Sequence, residues 1–400
     1  MKRNINIVTI DTQELLHNPY SIFLVDALYE TYNIAYYSNK GEGIYKGIVC
    51  RRINTLALKV IRNLVRLLLL LYYSVIYTFE RRSIKDADKL SVYVSGILVK
   101  NVFLFFRFLF RKCSDEVFIL VSAGGMPAFA WLSRFKTIRY VYCIYEVYPF
   151  QNQTDKHFRN WQFWIEKTGI KKAEMILDTG DCKISSFVLK IYKIKKRVER
   201  ILIMPEKVQT PARRKTDFPI RFYYHGSYAP NRGLEELVEA MNTISPDKGH
   251  LYMRGIGDFE NVLKKLTDKF GLNDRITFLA PVPTIELVKE AVNFDVGLVM
   301  VKMNIYNHKF VIGFKTFENI SAGLALIAPD SYNLHRLVTE NKIGILYKDA
   351  TVDRLSQAMQ YCIDHIDEVD RFKMNAWNIL DEIGKEKQFQ NICRIIGEIS

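Results

Sequence analysis

Short apolar runs alternate with longer amphipathic segments along most of the chain. The run INIVTI at 5–10 is continuous and rich in β-branched residues, as expected for a strand buried on both faces. The segment 116–134 predicts a strand, a glycine turn and a helix, and 138–151 predicts a strand that ends in a polar loop. Strands that alternate with helices in this way predict a parallel, doubly wound sheet.

A polar segment with two prolines divides the chain into two such series. It is VQTPARRKTDFPI at 208–220, and strand–helix alternation restarts directly after it, at RFYYHGS (221–227). Four hundred residues are too many for one ordinary core. We therefore predict an α/β protein with two Rossmann-like, doubly wound parallel-sheet domains that face a central cleft, with ligands bound beyond the carboxyl ends of the strands.

Charge changes the interpretation of one region of the first domain. The formal net charge is +14, and residues 46–112 hold fourteen Lys and Arg against three Asp and Glu, which indicates an anionic partner. Within this region, 51–79 predicts a helix with a wide apolar face and a polar stripe of Lys59, Arg62 and Arg66. Its longest uncharged run, thirteen residues, is shorter than the ~18–20 that a bilayer span needs. Two interpretations remain open, namely shallow insertion into an anionic membrane and a buried helix covering the sheet.

The cysteines indicate neither disulfides nor a metal site, and the N-terminus indicates no signal peptide. The six cysteines form no CxxC pair and no metal-ligand spacing with the seven histidines, so we expect free thiols in a reducing compartment and no metal site. The N-terminus runs into a strand pattern without a long apolar segment, so we expect no signal peptide.

The first candidate for phosphate binding is the loop in YYHGSYAPNRG, at 223–233. Gly226 permits close approach of a ligand to the backbone, and a helix that begins near Arg232 and Gly233 offers free amides to an anion. Arg232 adds a guanidinium that can bind phosphate in bidentate fashion. Ser227 lies in the same loop. Alone, this pattern also fits an ordinary connection between a strand and a helix.

The next two strand ends carry weaker signals of the same kind. Arg254, Gly255 and Gly257 follow a strand and precede a helix. The strand that contains Leu279 is followed by a loop whose backbone groups can face a flat base.

The segment GFKTFENISAGLALIAPD, at 313–330, holds the last candidate. Glu318, which we expect in a first helical turn, can accept two hydrogen bonds from a vicinal diol such as a ribose. Lys315 can balance a phosphate at the same helix start. The alternative is that Glu318 only complements the helix dipole.

Taken in order, these motifs resemble the C-terminal half of GT-B glycosyltransferases, most closely those of glycosyltransferase family 4. The resemblance is good over 220–360, and 385–400 is similar to the tail helix that packs back on the first domain of this fold. It implies an acceptor-binding domain at 1–207, a linker at 208–220, a nucleotide-sugar-binding domain at 221–380 and a tail helix at 381–400.

The resemblance also implies roles for single residues. Glu318 matches the glutamate that binds the donor ribose, whereas Arg232 and Gly226 match the residues that contact the diphosphate. Ser227 stands where an arginine is usual, and Lys315 partly replaces that positive charge. Phe310 stands where the family often has a second glutamate.

A further role falls in the first domain. Glu146 resembles the polar residue near the anomeric carbon, where a carboxylate can orient or deprotonate an acceptor hydroxyl; a solvated loop acid remains the alternative.

We therefore expect a metal-independent glycosyltransferase without cofactor that retains anomeric configuration. Its donor is a nucleotide-sugar, and its acceptor is a glycan or a polyprenyl-diphosphate-linked glycan of bacterial surface polysaccharide synthesis. The expected location is the cytoplasmic face of the membrane, with peripheral contact through 46–112 and no nucleic acid as partner. The alternative is a non-catalytic, anion-binding protein that associates with membrane or nucleic acid.

Overall fold

The chain forms two compact units, each built on its own sheet. The computed structural model describes residues 2–9, 19–38, 44–53, 56–80, 83–150, 155–208, 215–283, 286–310 and 312–399. Unit 1 comprises Met1–Leu202 together with Phe389–Ser400, and unit 2 comprises Ile203–Gln388. The predicted boundaries were 207 and 380, and residues 209–214 of the predicted linker lie outside the described residues.

Unit 1 has an eight-stranded sheet in the order β3-β4-β2-β1-β5-β6-β7-β8. Its strands are β1 (Asn4–Val8), β2 (Asn33–Ser38), β3 (Ile44–Tyr45), β4 (Ile48–Arg52), β5 (Glu116–Val121), β6 (Arg139–Ile144), β7 (Met175–Asp178) and β8 (Arg197–Arg200). All neighbours pair in parallel except β3, which runs antiparallel to β4 at the edge. The central strand β5 is buried along its whole length, which explains its continuous apolar sequence.

Within the described residues, six α-helices precede unit 2. They are α1 (Pro19–Leu28), α2 (Leu56–Phe79), α3 (Ile84–Leu109), α4 (Met126–Leu132), α5 (Lys156–Lys172) and α6 (Lys183–Tyr192). The helix predicted over 51–79 is wrong at its start, because Arg51 and Arg52 belong to β4.

Unit 2 has a six-stranded, all-parallel sheet in the order β11-β10-β9-β12-β13-β14. Its strands are β9 (Ile220–Ser227), β10 (Gly249–Ile256), β11 (Ile276–Leu279), β12 (Val296–Leu298), β13 (Ala325–Pro329) and β14 (Gly344–Tyr347). Its helices are α7 (Leu234–Met241), α8 (Glu260–Lys269), α9 (Leu287–Ala291), α10 (Phe314–Ser321), α11 (Leu334–Asn341), α12 (Val352–Asp364), α13 (Ile366–Asn378) and α14 (Leu380–Ile383). The strand order reverses between β9 and β12, and the carboxyl ends of these strands define the switch point of the sheet.

The last helix, α15 (Lys385–Ile399), returns the chain to unit 1. Ile392, Ile395 and Ile396 on this helix are completely buried. The Arg139 guanidinium donates to the carbonyl of Ile399 at 2.9 Å, and Arg197 forms an ion pair with Glu398 at 2.6 Å.

Helix α2 turns its apolar side outward. Its exposed large apolar residues recur every three or four positions and lie on one face of the helix: Val60, Ile61, Leu64, Leu67, Leu68, Leu71, Tyr72, Val75 and Phe79. The opposite face packs on α3 through the buried Tyr73 and Tyr77, and Arg66 pairs with Asp88 of α3 at 2.8 Å. Of the two earlier interpretations, the buried helix is therefore wrong for this face.

Two segments of unit 1 are long and apolar enough to cross a membrane by length and composition. They are Leu58–Phe79 and Lys85–Leu109, of which 11% and 44% of the most apolar window is buried. The uncharged run of thirteen residues therefore understates the length of the apolar helices in this region. Core helices of soluble proteins meet the same criterion, so length alone decides nothing.

Candidate functional site

The predicted donor-binding residues of unit 2 gather at the carboxyl edge of its sheet. Gly226 and Ser227 end β9, and Gly255 lies beside Gly226 in register on β10. Helix α10, which carries Lys315 and Glu318, enters the same edge between β12 and β13. This is the place where open parallel sheets bind ligands.

Gly226 and Lys315 touch each other. The backbone of Gly226 has φ +128°, and a Cβ added there would lie 2.2 Å from Cε of Lys315. The Lys315 ammonium donates a hydrogen bond to the Tyr224 hydroxyl at 3.0 Å and lies 4.4 Å from the centre of its ring. Only glycine leaves room for this lysine beside the strand.

The charge environment of Lys315 is unusual for a lysine. Removal from water lowers its pKa to about 7, the positive charge of Arg232 acts in the same direction, and the carboxylate of Glu318 opposes them. Arg232 also lowers the pKa of His308, after the larger effect of burial. Two cations thus stand close together at this edge, where a bound diphosphate would relieve their mutual repulsion.

Arg232 precedes the first turn of α7. Gly233 is the N-cap of this helix, with φ +78°, and a Cβ added there would lie 2.6 Å from that of Ala350. The tight turn places Arg232 next to the free amides of the helix start, as a phosphate site requires.

Glu318 is buried and held by a histidine that sequence reasoning missed. Its Oε2 lies 2.7 Å from Nε2 of His225, and both side chains are nearly inaccessible. A carboxylate only accepts, so Nε2 carries the hydrogen and donates it. Nδ1 of His225 is buried and has no hydrogen-bond partner among the described residues. A histidine within the apolar strand run FYYHGS, directly before the loop glycine, was the signal that could have revealed it.

The expected position of Glu318 in a first helical turn is wrong. Gly313 is the N-cap of α10 and Phe314 its first residue, so Glu318 lies in the second turn. The helix-dipole explanation loses its force there, because that effect is confined to the first turn.

Arg254 connects the end of β10 to the loop after β11 and to α9. It is 7% exposed, donates to the carbonyl of Ala280 and pairs with Glu290 at 3.1 Å. Leu279 lies opposite Arg254 in register and packs against the cluster around Tyr223. Two of the three guanidinium nitrogens of Arg254 are thus already engaged within unit 2.

The two glycines after Arg254 allow close backbone contact. A Cβ at Gly255 would lie 2.2 Å from the carbonyl oxygen of Gly226, and one at Gly257 would lie 2.1 Å from that of Tyr228. Both atoms belong to the backbone and cannot move aside cheaply. Gly255 and Gly257 therefore shape the loop that contains Gly226, whereas Ser227 is exposed beside it.

Phe310, at the position of the second family glutamate, is buried among aromatic rings. Its ring centre lies 5.9 Å from that of Tyr306 and 5.1 Å from that of Tyr332. An apolar contact thus replaces a carboxylate at this point of unit 2.

Glu146 lies in unit 1, in the loop after β6. It lines a small pocket with Ser122, Ala123, Tyr142, Tyr145 and Tyr148. The Ser122 backbone has φ +90°, and its buried hydroxyl lacks a hydrogen-bond partner among the described residues. Outside this pocket, the Glu146 carboxylate is one of the groups that raise the pKa of the Tyr20 hydroxyl, after the larger effect of burial.

Within the described ranges, no three His, Cys, Asp or Glu side chains group in a way that could hold a metal ion. The six cysteines are all free, and Cys50, Cys113, Cys143 and Cys362 are buried.

Comparison with known proteins shows a family resemblance in the second half of the chain. Residues 209–378 match the family described as glycosyl transferases group 1. This segment, which is less than half of the chain, is similar to that family. It contains every predicted donor-binding residue of unit 2.

Known structures extend the likeness to the whole chain. Alr3699/HepE of Anabaena, in complex with UDP, is similar over 100% of both chains with a TM-score of 0.70 and 12% identity. Sucrose-phosphate synthase of Thermosynechococcus elongatus is similar over 98% of both chains with a TM-score of 0.70 and 14% identity. These structures confirm the predicted GT-B fold class.

A mycobacterial enzyme is similar over a shorter segment. It is the GDP-mannose-dependent alpha-(1-6)-phosphatidylinositol monomannoside mannosyltransferase of Mycobacterium tuberculosis, 28% identical over 137 residues. The match spans 32% of this chain and 34% of the length of that relative.

Proposed function

We propose that the protein is a glycosyltransferase that transfers a sugar from a nucleotide-sugar donor. The observation that carries this proposal is Glu318, a buried carboxylate held by His225 beside Lys315 and Arg232. A carboxylate fixed through one oxygen retains acceptor capacity for a ribose diol, and the two cations suit the diphosphate. The relatives support this choice, since HepE is named in complexes with UDP and UDP-glucose and the mycobacterial enzyme is named for GDP-mannose.

A donor screen tests the proposal directly. UDP- and GDP-sugars are titrated against the wild type, Glu318→Gln and Glu239→Gln, an exposed glutamate of α7 that serves as matched control. We expect one class of donor to raise Tm, and Glu318→Gln to weaken its binding roughly 10- to 100-fold, by ~1.5–3 kcal/mol for a hydrogen bond to a charged group. Equal affinities of Glu318→Gln and wild type would exclude the ribose role.

The chemistry that follows from this site uses protein cations. Arg232, Lys315 and the amides at the start of α7 neutralise the diphosphate leaving group, so we infer a reaction that proceeds without metal. Retained transfer in excess EDTA supports this inference, and loss of transfer that Mg²⁺ or Mn²⁺ restores contradicts it. Retention of anomeric configuration is the expected stereochemical outcome, and NMR of the product reads it directly.

For Glu146 we propose a role on the acceptor side. A carboxylate in the Ser122 pocket can orient an acceptor hydroxyl or remove its proton. Glu146→Gln is then expected to lower kcat of transfer at least about 100-fold while donor affinity stays unchanged. Lost donor affinity with unchanged kcat would assign Glu146 to another role.

The acceptor we propose is a lipid-linked or free glycan of bacterial surface polysaccharide, reached at the cytoplasmic face of a membrane. The support is the outward apolar face of α2, since nine large apolar side chains on one helix face are costly in water. The opposite face of α2 packs on α3, so the helix lies along the surface of unit 1. The named substrate of the mycobacterial relative, a phosphatidylinositol mannoside, is itself a lipid.

Vesicle flotation tests this contact. Leu68→Glu with Leu71→Glu, at the centre of the exposed face, is expected to abolish flotation and leave donor binding intact, because a charge in an apolar interface is costly. If wild type does not float with any vesicle, the membrane part of the proposal is wrong. If it floats but no donor binds or reacts, the non-catalytic alternative replaces the enzyme.

A further inference from the structure

A groove of about 320 Å³ lies between α4 and α5 on unit 1, away from the Glu146 pocket. Two indoles, Trp131 of α4 and Trp164 of α5, line it with ring centres 6.4 Å apart. Trp164 is 41% exposed, which is unusual for the largest side chain. The groove thus offers aromatic surface to a ligand.

Apart from Ala130 and Thr168, the rest of the lining is cationic. Arg134, Lys167, Lys171 and Lys172 are all exposed and all line the groove. Trp164, Lys167 and Lys171 are three and four residues apart, so α5 presents them on one face. The inner face of α5 is buried through Ile165, Gly169 and Ile170, which fixes the direction of the outer one.

These four cations lack acidic neighbours. Within the part of the chain that the structure describes, no carboxylate lies within ion-pair distance, 4.0 Å, of any of them. Unpaired like charges that line one groove repel one another, and the natural complement is an anion with more than one negative oxygen.

The groove lies next to α2. The Trp164 ring lies 5.5 Å from that of Trp161, whose indole N–H donates to the hydroxyl of Tyr73 on α2. Tyr73 lies on the side of α2 that packs on α3, so the indoles connect the groove to the inner side of this helix. Indoles together with basic side chains are characteristic of protein surfaces at the level of lipid headgroups.

We propose that this groove binds the phosphate headgroup of an anionic phospholipid. The phosphate is bound by the four cations of the groove, and the two indoles contact the adjacent apolar part of the lipid. The inference rests on the membrane contact proposed above and gives that contact its lipid specificity. The apolar face of α2 supplies affinity for any bilayer, and the groove selects the anionic lipid.

The test compares two double variants with the same loss of charge. Lys167→Ala with Lys171→Ala removes two cations from the groove, whereas Lys183→Ala with Lys190→Ala removes two exposed cations from α6. Binding is measured by flotation with phosphatidylcholine vesicles that contain none or a third of phosphatidylglycerol. Free glycerol phosphate is the soluble headgroup probe, and a change in intrinsic tryptophan fluorescence, to which Trp131 and Trp164 contribute, reports occupancy.

We expect the groove variant to bind the anionic vesicles ~25-fold more weakly, about fivefold for each cation lost near the surface. The α6 variant should stay within about threefold of the wild type, and all variants should bind phosphatidylcholine equally. Equal weakening of both variants overturns the proposal, because it shows a diffuse charge effect. Binding of glycerol phosphate in solution as tightly as of vesicles also overturns it, in favour of a soluble anion.

Failure of this inference is distinguishable from failure of the proposed function. Donor affinity, read from the shift in Tm with nucleotide-sugar, does not involve the groove and should be equal in all variants. An intact donor shift with groove-independent vesicle binding rejects the headgroup site alone.

Discussion

The Lys315 ammonium occupies a position where burial works against its charge. Gly226 leaves the space, Tyr224 supplies the acceptor, and Arg232 adds a second cation nearby. In the absence of donor, this lysine loses its proton more readily than a lysine in water. Donor binding then brings the compensating negative charge.

The pKa of about 7 for Lys315 makes donor binding depend on pH. Above that pH the free protein holds a neutral Lys315, so binding of the diphosphate must take up a proton and Kd rises, by at most ~tenfold per pH unit. Titration with nucleotide-sugar between pH 6 and 9 measures this. Lys315→Arg stays charged and Lys315→Met stays neutral, so both should show a flat profile.

The lowered pKa of Lys315 also makes the free energy of unfolding depend on pH. The unfolded chain keeps this lysine protonated to a pH of ~10.4, so the unfolded state binds more protons between about 7 and that value. The free energy of unfolding should therefore rise with pH more steeply in the wild type than in Lys315→Met. An equal slope in the two proteins contradicts the shifted pKa.

His225 is a positioning residue, since it acts on the donor through Glu318. Replacement by Val removes the donor hydrogen bond and leaves a buried carboxylate with one partner fewer, at a cost of ~1–3 kcal/mol. We expect a lower Tm and weaker nucleotide-sugar binding, with kcat at saturating donor little changed. His225→Gln keeps an N–H near Nε2 and should recover most of the affinity; if it recovers stability alone, the role is structural.

At the scale of elements, the strand–helix alternation was enough to predict two parallel sheets. It could not place Glu318 in its turn, because the start of α10 is set by the left-handed backbone of Gly313, which no periodicity reveals. Nor could it show which side of α2 faces outward. The sequence left open whether the apolar side points inward or outward, and in the structure it points outward while Tyr73, Tyr77 and Arg66 find partners on the inner side.

The candidate site was predictable in its residue types and only partly in its contacts. Gly226, Arg232, Lys315 and Glu318 could be selected because each belongs to a recognisable loop or helix start. The link between His225 and Glu318 spans 93 residues and depends on the register of β9 beside β12, which a linear pattern does not contain.

One carboxylate ties three elements of unit 2 together. Asp295 is completely buried at the start of β12, accepts hydrogen bonds from Arg221 of β9 and pairs with Lys373 of α13 at 3.3 Å. Asp295→Asn leaves the largely buried Arg221 without its counter-charge and leaves Lys373 with Asp370 alone, at 3.8 Å, so we expect a loss of ~3–5 kcal/mol in urea unfolding. The exposed Asp274→Asn is the control and should change stability by less than about 0.5 kcal/mol.

At the scale of the whole molecule, both ends of the described chain belong to unit 1. Helix α15 contributes three completely buried isoleucines and two ties through Arg139 and Arg197. A chain that stops at Gln388 exposes the apolar surface that these residues cover.

Truncation after Gln388 is therefore expected to destabilise unit 1 and to spare unit 2. Burial of each isoleucine contributes roughly 1.5–3 kcal/mol, which together approaches the total stability of a domain. The milder Ile395→Ala should cost ~2–5 kcal/mol, and Glu386→Ala, exposed on the same helix, almost nothing. Proteolysis with mass spectrometry should find cleavage within 19–202 and protection of 215–378; uniform protection of the truncated chain contradicts this view.

The return of α15 also sets an order of events during synthesis. Residues 203–388 leave the ribosome before the helix that completes the first unit is made. At 5–20 residues per second this interval lasts roughly 10 to 40 seconds. During this interval the second unit can fold, whereas the surface of the first unit that Ile392, Ile395 and Ile396 later cover is still exposed. This nascent intermediate presents apolar surface that chaperones would recognise.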